Sequence, residues 1–466
     1  MISALLKGIF ISMKKITAIL LLICMLLPLC ACKKQTQNPQ DQNAVSPDEV
    51  FMSSENFSIS LAEATYVFYE SYNSYYSANA DNISFLALDS EKSLKIQSYS
   101  EGVTWYEYFL QDAKEMIRWV LLYCEAAKSA GYEIDDSIKN EAKKVTDSIK
   151  QFATDYAYDP AEYIKGQYGD IVTEETIRSY LEKYFLASKF YGDLEKTYVF
   201  TEADEDAYRE AHPEKFAYVD LVAYSMRESL DREASANAKE LLATKTEDEF
   251  YDYIEKYEAD VIDQEMGVDK LDYFANSGNE LSEWAFSAKV GEKYLYSDSL
   301  GGVYTVCMLV TEPTVQEYNV KDIRIIVLDA DRYSSMETAL SRTDEVIKKW
   351  QEGEATAESF GDLANVYSAD ENAEKGSAYS DVDKSFELLT DEAAKWLFEE
   401  AKPGEIKKFE YDNGYFVLYC EAEGRVQWRV LATDYLTEEK YYADLEKFEK
   451  AHPITFVDAM AWHIAA

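Results

Sequence analysis

The side chains that most often carry catalysis are scarce in this sequence, which holds three histidines and six cysteines among 466 residues. His212 and His452 each stand in an Ala-His-Pro triplet just past a predicted helix, where a capping or turn role is favoured over catalysis. The sequence contains no HExxH, no Cys/His zinc spacing, no G-x-S-x-G, no Walker loop and no G-x-G-x-x-G. The carboxylates of Asp329, Asp331 and the Asp370-Glu371 pair lack the spacing of a calcium loop, which favours solvated acids.

One cysteine is placed where its thiol could be modified. Cys32 follows the apolar run 16–29 and precedes two lysines, and two further lysines precede the run. Positive residues, a short apolar run and a small residue before a cysteine stand in the order of a secretory signal. The run is too short to span a bilayer comfortably, since a spanning helix needs about 20 residues.

The segment Leu29-Cys30-Ala31-Cys32 resembles the lipobox of bacterial lipoproteins, in which the cysteine receives a diacylglycerol and becomes the new N-terminus. The resemblance implies that residues 1–31 are removed and that Cys32 anchors the protein at the extracytoplasmic face of a bacterial cell membrane. An ordinary secretion signal with an unrelated cysteine is the alternative. Met13, with two lysines after it, is a more natural start than Met1, and both starts remain open.

Charge limits the partners of the protein. The formal net charge is −42, and it becomes −45 once residues 1–31 and their three lysines are removed. A chain this acidic is repelled by phosphate backbones and anionic lipid surfaces, so we expect no nucleic-acid partner and no membrane contact beyond the lipid anchor. The length predicts two to four domains.

Three cysteines remain beyond Cys32. Cys124, Cys307 and Cys420 are widely spaced in apolar surroundings and are odd in number, which is typical of small buried hydrophobes. A disulfide between Cys307 and Cys420 is the alternative for an exported protein.

The apolar pattern divides the chain into a helical N-terminal half and a mixed half. Ser60 with Glu63 predicts a capping box, Asp135 or Asp136 opens a later helix, and Thr173 opens another. The predicted segments are a signal peptide (1–31), a disordered tether (32–56), a helical domain (57–215), two mixed units (216–312 and 320–424) and a helical tail (425–466).

We expect the tail, with a helix capped at Thr437, to pack on the N-terminal helices, because it cannot bury its apolar face alone.

The two mixed units have matching landmarks. Each opens with an apolar strand, continues with two helical segments and closes with a β run led by Gly302 or Gly414. Trp284 and Trp396 each begin a Trp-x-Phe that precedes Gly-Glu, and they stand 112 residues apart. Repeated landmarks at one spacing indicate an internal duplication.

The second unit carries the most specific stretch. Residues 360–376 resemble the parvulin signature, in which F-x-x-L-A, Y-S-x-D and a glycine follow one another, and Lys402-Pro403-Gly404-Glu405-Ile406 resembles the stretch before its last strands. With the lipoprotein signal and the helical domain, the chain is similar to extracytoplasmic foldases and SurA-type chaperones. The resemblance implies an α+β fold with a helical N-terminal domain, a degenerate parvulin-like unit, a second parvulin-like unit and a returning C-terminal helix.

The sequence departs from that family at the candidate site. Active parvulins carry two histidines around a Cys or Asp, and here Arg324 occupies the first histidine position, Phe416 the second, and Asp370 the Cys/Asp position. Prolyl isomerisation has a barrier of about 18–20 kcal/mol and needs no proton transfer, so histidine loss weakens the site without forbidding activity. Asp370 is thus the remaining catalytic candidate, and Arg324 and Phe416 are candidate pocket positions.

Three functions follow from these patterns. The leading hypothesis is a membrane-anchored chaperone or foldase that binds unfolded or extended secreted polypeptides, with isomerase activity weakened or lost and no cofactor or metal. The first alternative is an active peptidyl-prolyl isomerase that uses the pocket around Asp370. The second is a solute- or glycan-binding lipoprotein, which the tyrosine content suggests. The clients and the oligomeric state are left open.

Overall fold

The chain combines helices with antiparallel sheets, and the predicted α+β class is confirmed. The structure, a computed structural model, describes residues 45–79, 88–90, 92–227, 234–259, 269–275, 278–298, 303–370 and 372–464. Two units divide the chain: Phe200–Leu436 forms one, and the residues before and after that range form the other. The predicted signal peptide, Cys32 and residues 33–44 lie outside the described residues.

The elements follow in chain order. The first unit begins with β1 (Val50–Ser53), β2 (Ser58–Ser60), α1 (Leu61–Ala78), β3 (Ser98–Ser100), β4 (Val103–Thr104), α2 (Trp105–Ser129), α3 (Asp136–Asp155), α4 (Pro160–Tyr168) and α5 (Glu174–Glu195). The second unit begins with α6 (Glu202–Ala211), β5 (Ala217–Arg227), α7 (Ala234–Leu242), α8 (Glu247–Ala259), β6 (Asp269–Ala275), α9 (Glu280–Ala285), β7 (Lys293–Asp298), β8 (Val303–Leu309) and β9 (Thr314–Val315).

The second unit continues with β10 (Asn319–Asp329), α10 (Ala330–Tyr333), α11 (Met336–Glu352), α12 (Ala357–Tyr367), β11 (Ala378–Val382), α13 (Asp391–Lys395), β12 (Ile406–Tyr411) and β13 (Gly414–Val426). A π-helical turn at Trp396–Glu400 follows α13 directly. The last elements are α14 (Gln427–Ala451), which has residues in both units, β14 (Thr455–Phe456) and α15 (Asp458–Ala461).

Aromatic side chains form the core of the first unit. The apolar stripes of α1, α2 and α5 pack together, and Phe68, Phe109 and Tyr123 are fully buried there. Tyr198 donates a hydrogen bond of 2.9 Å to the buried carboxylate of Asp444 in α14. The predicted helix starts are confirmed, since three capping side chains accept backbone N–H groups: Ser60, Asp135 and Thr173.

The predicted disordered tether, residues 32–56, includes residues that belong to the folded first unit. β1 pairs antiparallel with β2 and with β14, and Phe51 and Met52 are buried in the core of the first unit. A three-residue apolar run is too short to predict a strand by itself. Its backbone partner comes from position 455, far along the chain, so only the tertiary fold makes it a strand.

The two four-strand paths in the second unit have the same strand order. They read β6-β5-β8-β7 and β11-β10-β13-β12, and all neighbouring strands are antiparallel. In both, the first and last strands along the chain lie at the centre of the sheet. Because this order is not the simple hairpin order, its occurrence in both halves supports the predicted internal duplication.

Two helices differ from their predicted placement. α6 falls within the range predicted for the helical N-terminal domain, yet it lies in the second unit. α14 begins at Gln427, so Thr437 is inside a helix and caps nothing. Trp428 and Ala432 of α14 pack against Phe216, and this burial favours a helix start ten residues earlier than the cap pattern indicates.

The buried carboxylate of Glu205 connects α6 to the end of β13 and to α14. Glu205 accepts hydrogen bonds from Arg425, from Arg429 at 3.0 Å and from Thr433 at 3.0 Å. Two guanidinium groups stack on the ring of Trp428. The Cζ atom of Arg209 lies 4.3 Å from the ring centroid, and the Cζ atom of Arg429 lies 4.4 Å from it.

The cysteines of the described residues agree with the prediction that they are small buried hydrophobes. Cys124, Cys307 and Cys420 are buried and unpaired, so the alternative disulfide is not formed. Burial raises the pKa of the Cys307 thiol to about 11, which keeps it protonated. Within the described ranges, no helix has both the length and the apolarity that crossing a bilayer requires.

Candidate functional site

The sheet with the strand order β11-β10-β13-β12, which we call the second sheet, has two different faces. Ile323, Ile325 and Val327 of β10 point to one face, where they join an apolar cluster with Phe416 of β13. Ile326 and Leu328 point to the other face, which α11 and α12 cover. This alternation is the normal consequence of a strand period of two residues.

Arg324 lies on the helix-covered face. Its Nη1 donates to the carbonyl of Gly376 at 3.3 Å, and its Nε lies 2.8 Å from a carboxylate oxygen of Glu421. A Cβ on Gly361 or on Gly376 would meet Nη1 at 2.9 or 2.7 Å, so the guanidinium packs directly against both glycines. Arg324 therefore connects α12, the loop at Gly376 and β13, and its role is structural.

Arg324 and Phe416 therefore do not share a site, which corrects the prediction that both are pocket positions. The neighbours of Phe416 on its own face of the sheet are Val327, which is its direct partner in β10, and Ile325. A slip of one residue in aligning a strand moves every side chain to the opposite face. On this geometry the first-strand residue of the candidate site is Ile325.

Asp370 is held beside β10 by a short extended segment. The amide of Ala369 donates to the carbonyl of Val327 at 2.8 Å, and Ser368 Oγ accepts from the Val327 amide at 3.0 Å. The Tyr379 hydroxyl donates to Asp370 Oδ1 at 2.6 Å. The other oxygen, Oδ2, is buried and has no hydrogen-bond partner among the described residues. A buried carboxylate oxygen without a partner is uncommon in folded proteins.

Tyr379 connects Asp370 to the apolar face. It lies in β11 opposite Ile323, and its ring centroid is 5.0 Å from that of Phe386 in an edge-to-face contact. Sequence reasoning missed Tyr379, because β11 is short and only the tertiary fold brings its hydroxyl to the carboxylate. The Y-S-x-D match that identified Asp370 does not include Tyr379.

Phe416 is buried among aromatic rings. Phe409 lies directly opposite in β12 with ring centroids 5.4 Å apart, and Tyr411 lies 6.2 Å away. A phenyl ring at this position supplies apolar contact and no hydrogen-bond donor. The face is therefore part of the core of the second unit, packed against Trp396 and Leu397, with the carboxylate of Asp370 and the hydroxyl of Tyr379 at its edge.

Imidazoles are absent from this site. The three histidines of the sequence are His212, His452 and His463, and all lie outside the 217–426 range that contains both sheets of the second unit. His212 is the C-cap residue of α6, in agreement with its predicted capping role. Within the described residues, no group of three or more His, Cys, Asp or Glu side chains is arranged to hold a metal ion.

The first unit exposes a patch of apolar side chains, which we call the aromatic patch. It contains Ile96, Tyr99 and Val103 at its surface, with Tyr75 and Tyr108 beneath. Ile96 is 77% exposed and Tyr99 is 44% exposed. The Tyr99 ring lies 4.4 Å from the ring of Tyr108, which is 5.8 Å from that of Tyr75.

The two phenols beneath the surface of the aromatic patch, Tyr75 and Tyr108, have raised pKa values. Burial, and then the charge of Asp112, raises the pKa of Tyr108 to about 12. Burial also raises the pKa of Tyr75. Neutral tyrosines combine an apolar ring with a hydrogen-bonding hydroxyl, which suits contact with polypeptide backbones.

Comparison with known proteins found a likeness to a solved structure. No family model and no curated protein sequence matches the chain. The chain is similar to the 3.10 Å crystal structure of the foldase protein PrsA from Lactococcus lactis, with 15% sequence identity and a TM-score of 0.19. The match covers 68% of this chain and 93% of that chain.

Proposed function

We propose that this protein is a membrane-anchored, extracytoplasmic folding factor that binds unfolded or extended secreted polypeptides. The observation that carries the proposal is the aromatic patch of the first unit. Unfolded clients share backbone groups and scattered apolar side chains, so a binder that tolerates many sequences needs exposed apolar anchors with polar edges. Exposed apolar side chains that cluster in this way are typical of interaction sites.

The second unit supports the same proposal. Its second sheet carries an apolar face with Phe416 at the centre and Asp370 and Tyr379 at the edge. Because neither sheet contains a histidine, we propose that the parvulin-like scaffold is retained for binding and that isomerase activity is weakened or lost.

The anchor in this proposal is the thiol of Cys32. The lipobox resemblance supports it, and the strong negative charge of the chain argues against attachment to anionic lipids or nucleic acids by charge. The location is then the outer face of a bacterial cell membrane.

We expect the full-length protein to suppress aggregation of a reduced, unfolded client at stoichiometric amounts, measured by light scattering. The double variant Ile96→Ser/Tyr99→Ser should bind the client about tenfold more weakly, because two exposed anchors lose their apolar contact. The matched control is Tyr156→Ser/Val199→Ser, which removes a tyrosine that is 60% exposed and a valine that is 80% exposed elsewhere in the unit. The control should protect as the wild type does.

Failure of the wild-type protein to protect any client at any ratio would reject the proposal. Equal loss of protection in both double variants would instead reject the aromatic patch as the binding surface. Circular dichroism of each variant establishes that the fold is intact.

The specific observation that favours the alternative function, an active prolyl isomerase, is the position of Asp370 beside an apolar cluster, with one buried oxygen that has no hydrogen-bond partner in the part of the chain that the structure describes. We expect no acceleration of prolyl isomerisation over the uncatalysed rate in a protease-coupled peptide assay. An appreciable rate that falls in Asp370→Ala, and in the matched variant Tyr379→Phe, would establish the isomerase. A rate that neither variant changes would place the activity elsewhere.

A further inference from the structure

Strand β7 (Lys293–Asp298) forms one edge of the sheet with the strand order β6-β5-β8-β7, which we call the first sheet. It pairs with β8 on one side, and among the described residues no strand pairs with it on the other. An edge strand presents a row of unpaired N–H and C=O groups, with which a further extended chain can pair. The chemical group complementary to this edge is therefore an extended polypeptide backbone.

The register of β7 against β8 identifies its unpaired backbone groups. The Gly291 amide donates to the Leu309 carbonyl at 2.8 Å, and the Leu309 amide donates to the Glu292 carbonyl at 3.0 Å. Hydrogen-bonded positions alternate along an antiparallel pair, so the next residues of β7 that bond to β8 are Tyr294 and Tyr296. The N–H and C=O groups of the alternate residues point away from β8: Lys293, Leu295 and Ser297.

The equivalent edge of the second sheet is protected by charge. β12 has the same place in the same strand order as β7. Its Lys407 and Lys408 form ion pairs with acidic residues of α13 and α11. Charged side chains on an edge strand oppose pairing with a further chain. β7 has no charged residue between Lys293 and Asp298, so its centre lacks this protection.

The remaining edges of these two sheets also oppose pairing. β6 carries three charged residues: Asp269, Lys270 and Asp272. β11 has only five residues, a shift in its register against β10 and a φ of +53° at Asp381. Irregular backbone of this kind makes an edge a poor template for a further strand. Of the four edges, β7 is thus the one best suited to accept a strand.

Tyrosine side chains lie along one face of β7. Tyr296 is 51% exposed, and the ring centroid of Tyr294 lies 5.2 Å from that of Trp284 in a stacked contact. Leu295 points to the opposite face, where it packs against the cluster formed with α7 and α8. Aromatic and β-branched side chains opposite a tyrosine stabilise an antiparallel pair. This face therefore favours a strand with apolar side chains at alternate positions.

We propose that β7 binds a strand-forming segment of a client polypeptide by antiparallel pairing, with alternate apolar side chains of the client on Tyr294 and Tyr296. All neighbouring strands of the first sheet are antiparallel, so the client continues the same geometry. A second copy of this chain would bring a further net charge of −42, and the repulsion opposes self-pairing. This inference rests on the proposed function and deepens it, because it identifies the class of client segment that is recognised.

The test uses the full-length protein and a short fluorescein-labelled peptide in which threonine alternates with valine, followed by fluorescence anisotropy. In the proposed register the valine side chains contact the tyrosines, and the threonine N–H groups donate to β7. N-methylation of the threonine amides should therefore weaken binding by about tenfold. N-methylation of the valine amides, which point away from β7, should retain most of the affinity.

Tyr296→Lys places a charge on the exposed face of β7 and should also weaken binding by about tenfold. Tyr296→Phe should retain most of the affinity. The matched control is Tyr251→Lys, which changes a tyrosine of α8 that is 39% exposed and should leave binding unchanged. Equal affinity for the unmodified and the threonine-methylated peptides, or full binding by a folded Tyr296→Lys variant, would overturn the inference.

Two further outcomes separate this inference from its alternatives. A dimer of the protein alone in sedimentation, which Tyr296→Lys dissociates, would overturn the inference because β7 would then pair with a second copy. Peptide binding of the expected kind without client protection in the aggregation assay would reject the folding-factor function while leaving a strand-binding edge in place. Client protection without sensitivity to threonine N-methylation would retain the folding factor and reject β7 as its strand-binding site.

Discussion

Gly414→Ala is expected to destabilise the second unit by about 3 kcal/mol, because an added methyl group has no space there. A Cβ at this position would meet the carbonyl oxygen of Leu328 at 2.3 Å and the Cα of Asp329 at 3.1 Å. Both atoms belong to the central strand β10, which cannot move without disturbing its pairing with β13. The measurement is the free energy of unfolding of the second unit by urea, followed by tyrosine and tryptophan fluorescence.

Gly404→Ala is the matched control for this substitution. Gly404 has a φ of +94° and no atom within 4 Å of its added Cβ, so it tests backbone strain without a clash. We expect a loss of about 1 kcal/mol there. Equal losses at both glycines would show that the contact with Leu328 does not limit the strand pair.

Phe416 lies two residues after Gly414 in β13 and is paired with Val327. Displacement of the start of β13 therefore also disturbs the packing of the apolar cluster around Phe416.

Glu205→Ala is expected to cost about 2–3 kcal/mol in the unfolding free energy of the second unit. The carboxylate is only 2% exposed and accepts three hydrogen bonds, two of them from guanidinium groups. Hydrogen bonds to charged groups contribute about 1.5–3 kcal/mol each, and removing one member of a buried pair leaves the other charges uncompensated. Arg425 is about half exposed, so water offsets part of the loss.

The control for Glu205 is Asp206→Ala. Asp206 also binds Arg429, at 3.0 Å, but its side chain is largely exposed to solvent. Exposed pairs contribute about 0–1 kcal/mol, so we expect little change in stability. A loss at Asp206 as large as that at Glu205 would contradict the importance assigned to the buried carboxylate.

The same network predicts how stability depends on pH. Burial raises the pKa of Glu205, but the hydrogen bonds from Arg425, Arg429 and Thr433 outweigh it, and the net pKa is lowered. A lowered pKa in the folded state means that the contribution is present above the unfolded-state pKa of about 4.3 and is lost as the pH falls through the folded-state value. The wild type should therefore lose more stability on acidification than Glu205→Gln does.

The candidate site is consistent with a scaffold that binds without acid or base chemistry. Phe416 and Ile325 fill the face with apolar groups, and Asp370 supplies one acceptor at its edge.

Local patterns in the sequence were sufficient for much of the fold. The capping residues Ser60, Asp135 and Thr173 predict helix starts because each helix leaves N–H groups that only a nearby side chain can satisfy. The absence of histidine from 217–424 is a property of composition and needs no structure.

The tertiary structure alone decided which residues meet. Residues 50–53 form strand β1 because β14 pairs with them. Arg324 lies outside the candidate site, because a shift of one residue in register places a side chain on the opposite face of the strand. The bond from Tyr379 to Asp370 and the assembly of the aromatic patch likewise depend on long-range packing. The physical reason is that caps and periodicity are satisfied by neighbours in sequence, whereas register and contacts are settled by partners far along the chain.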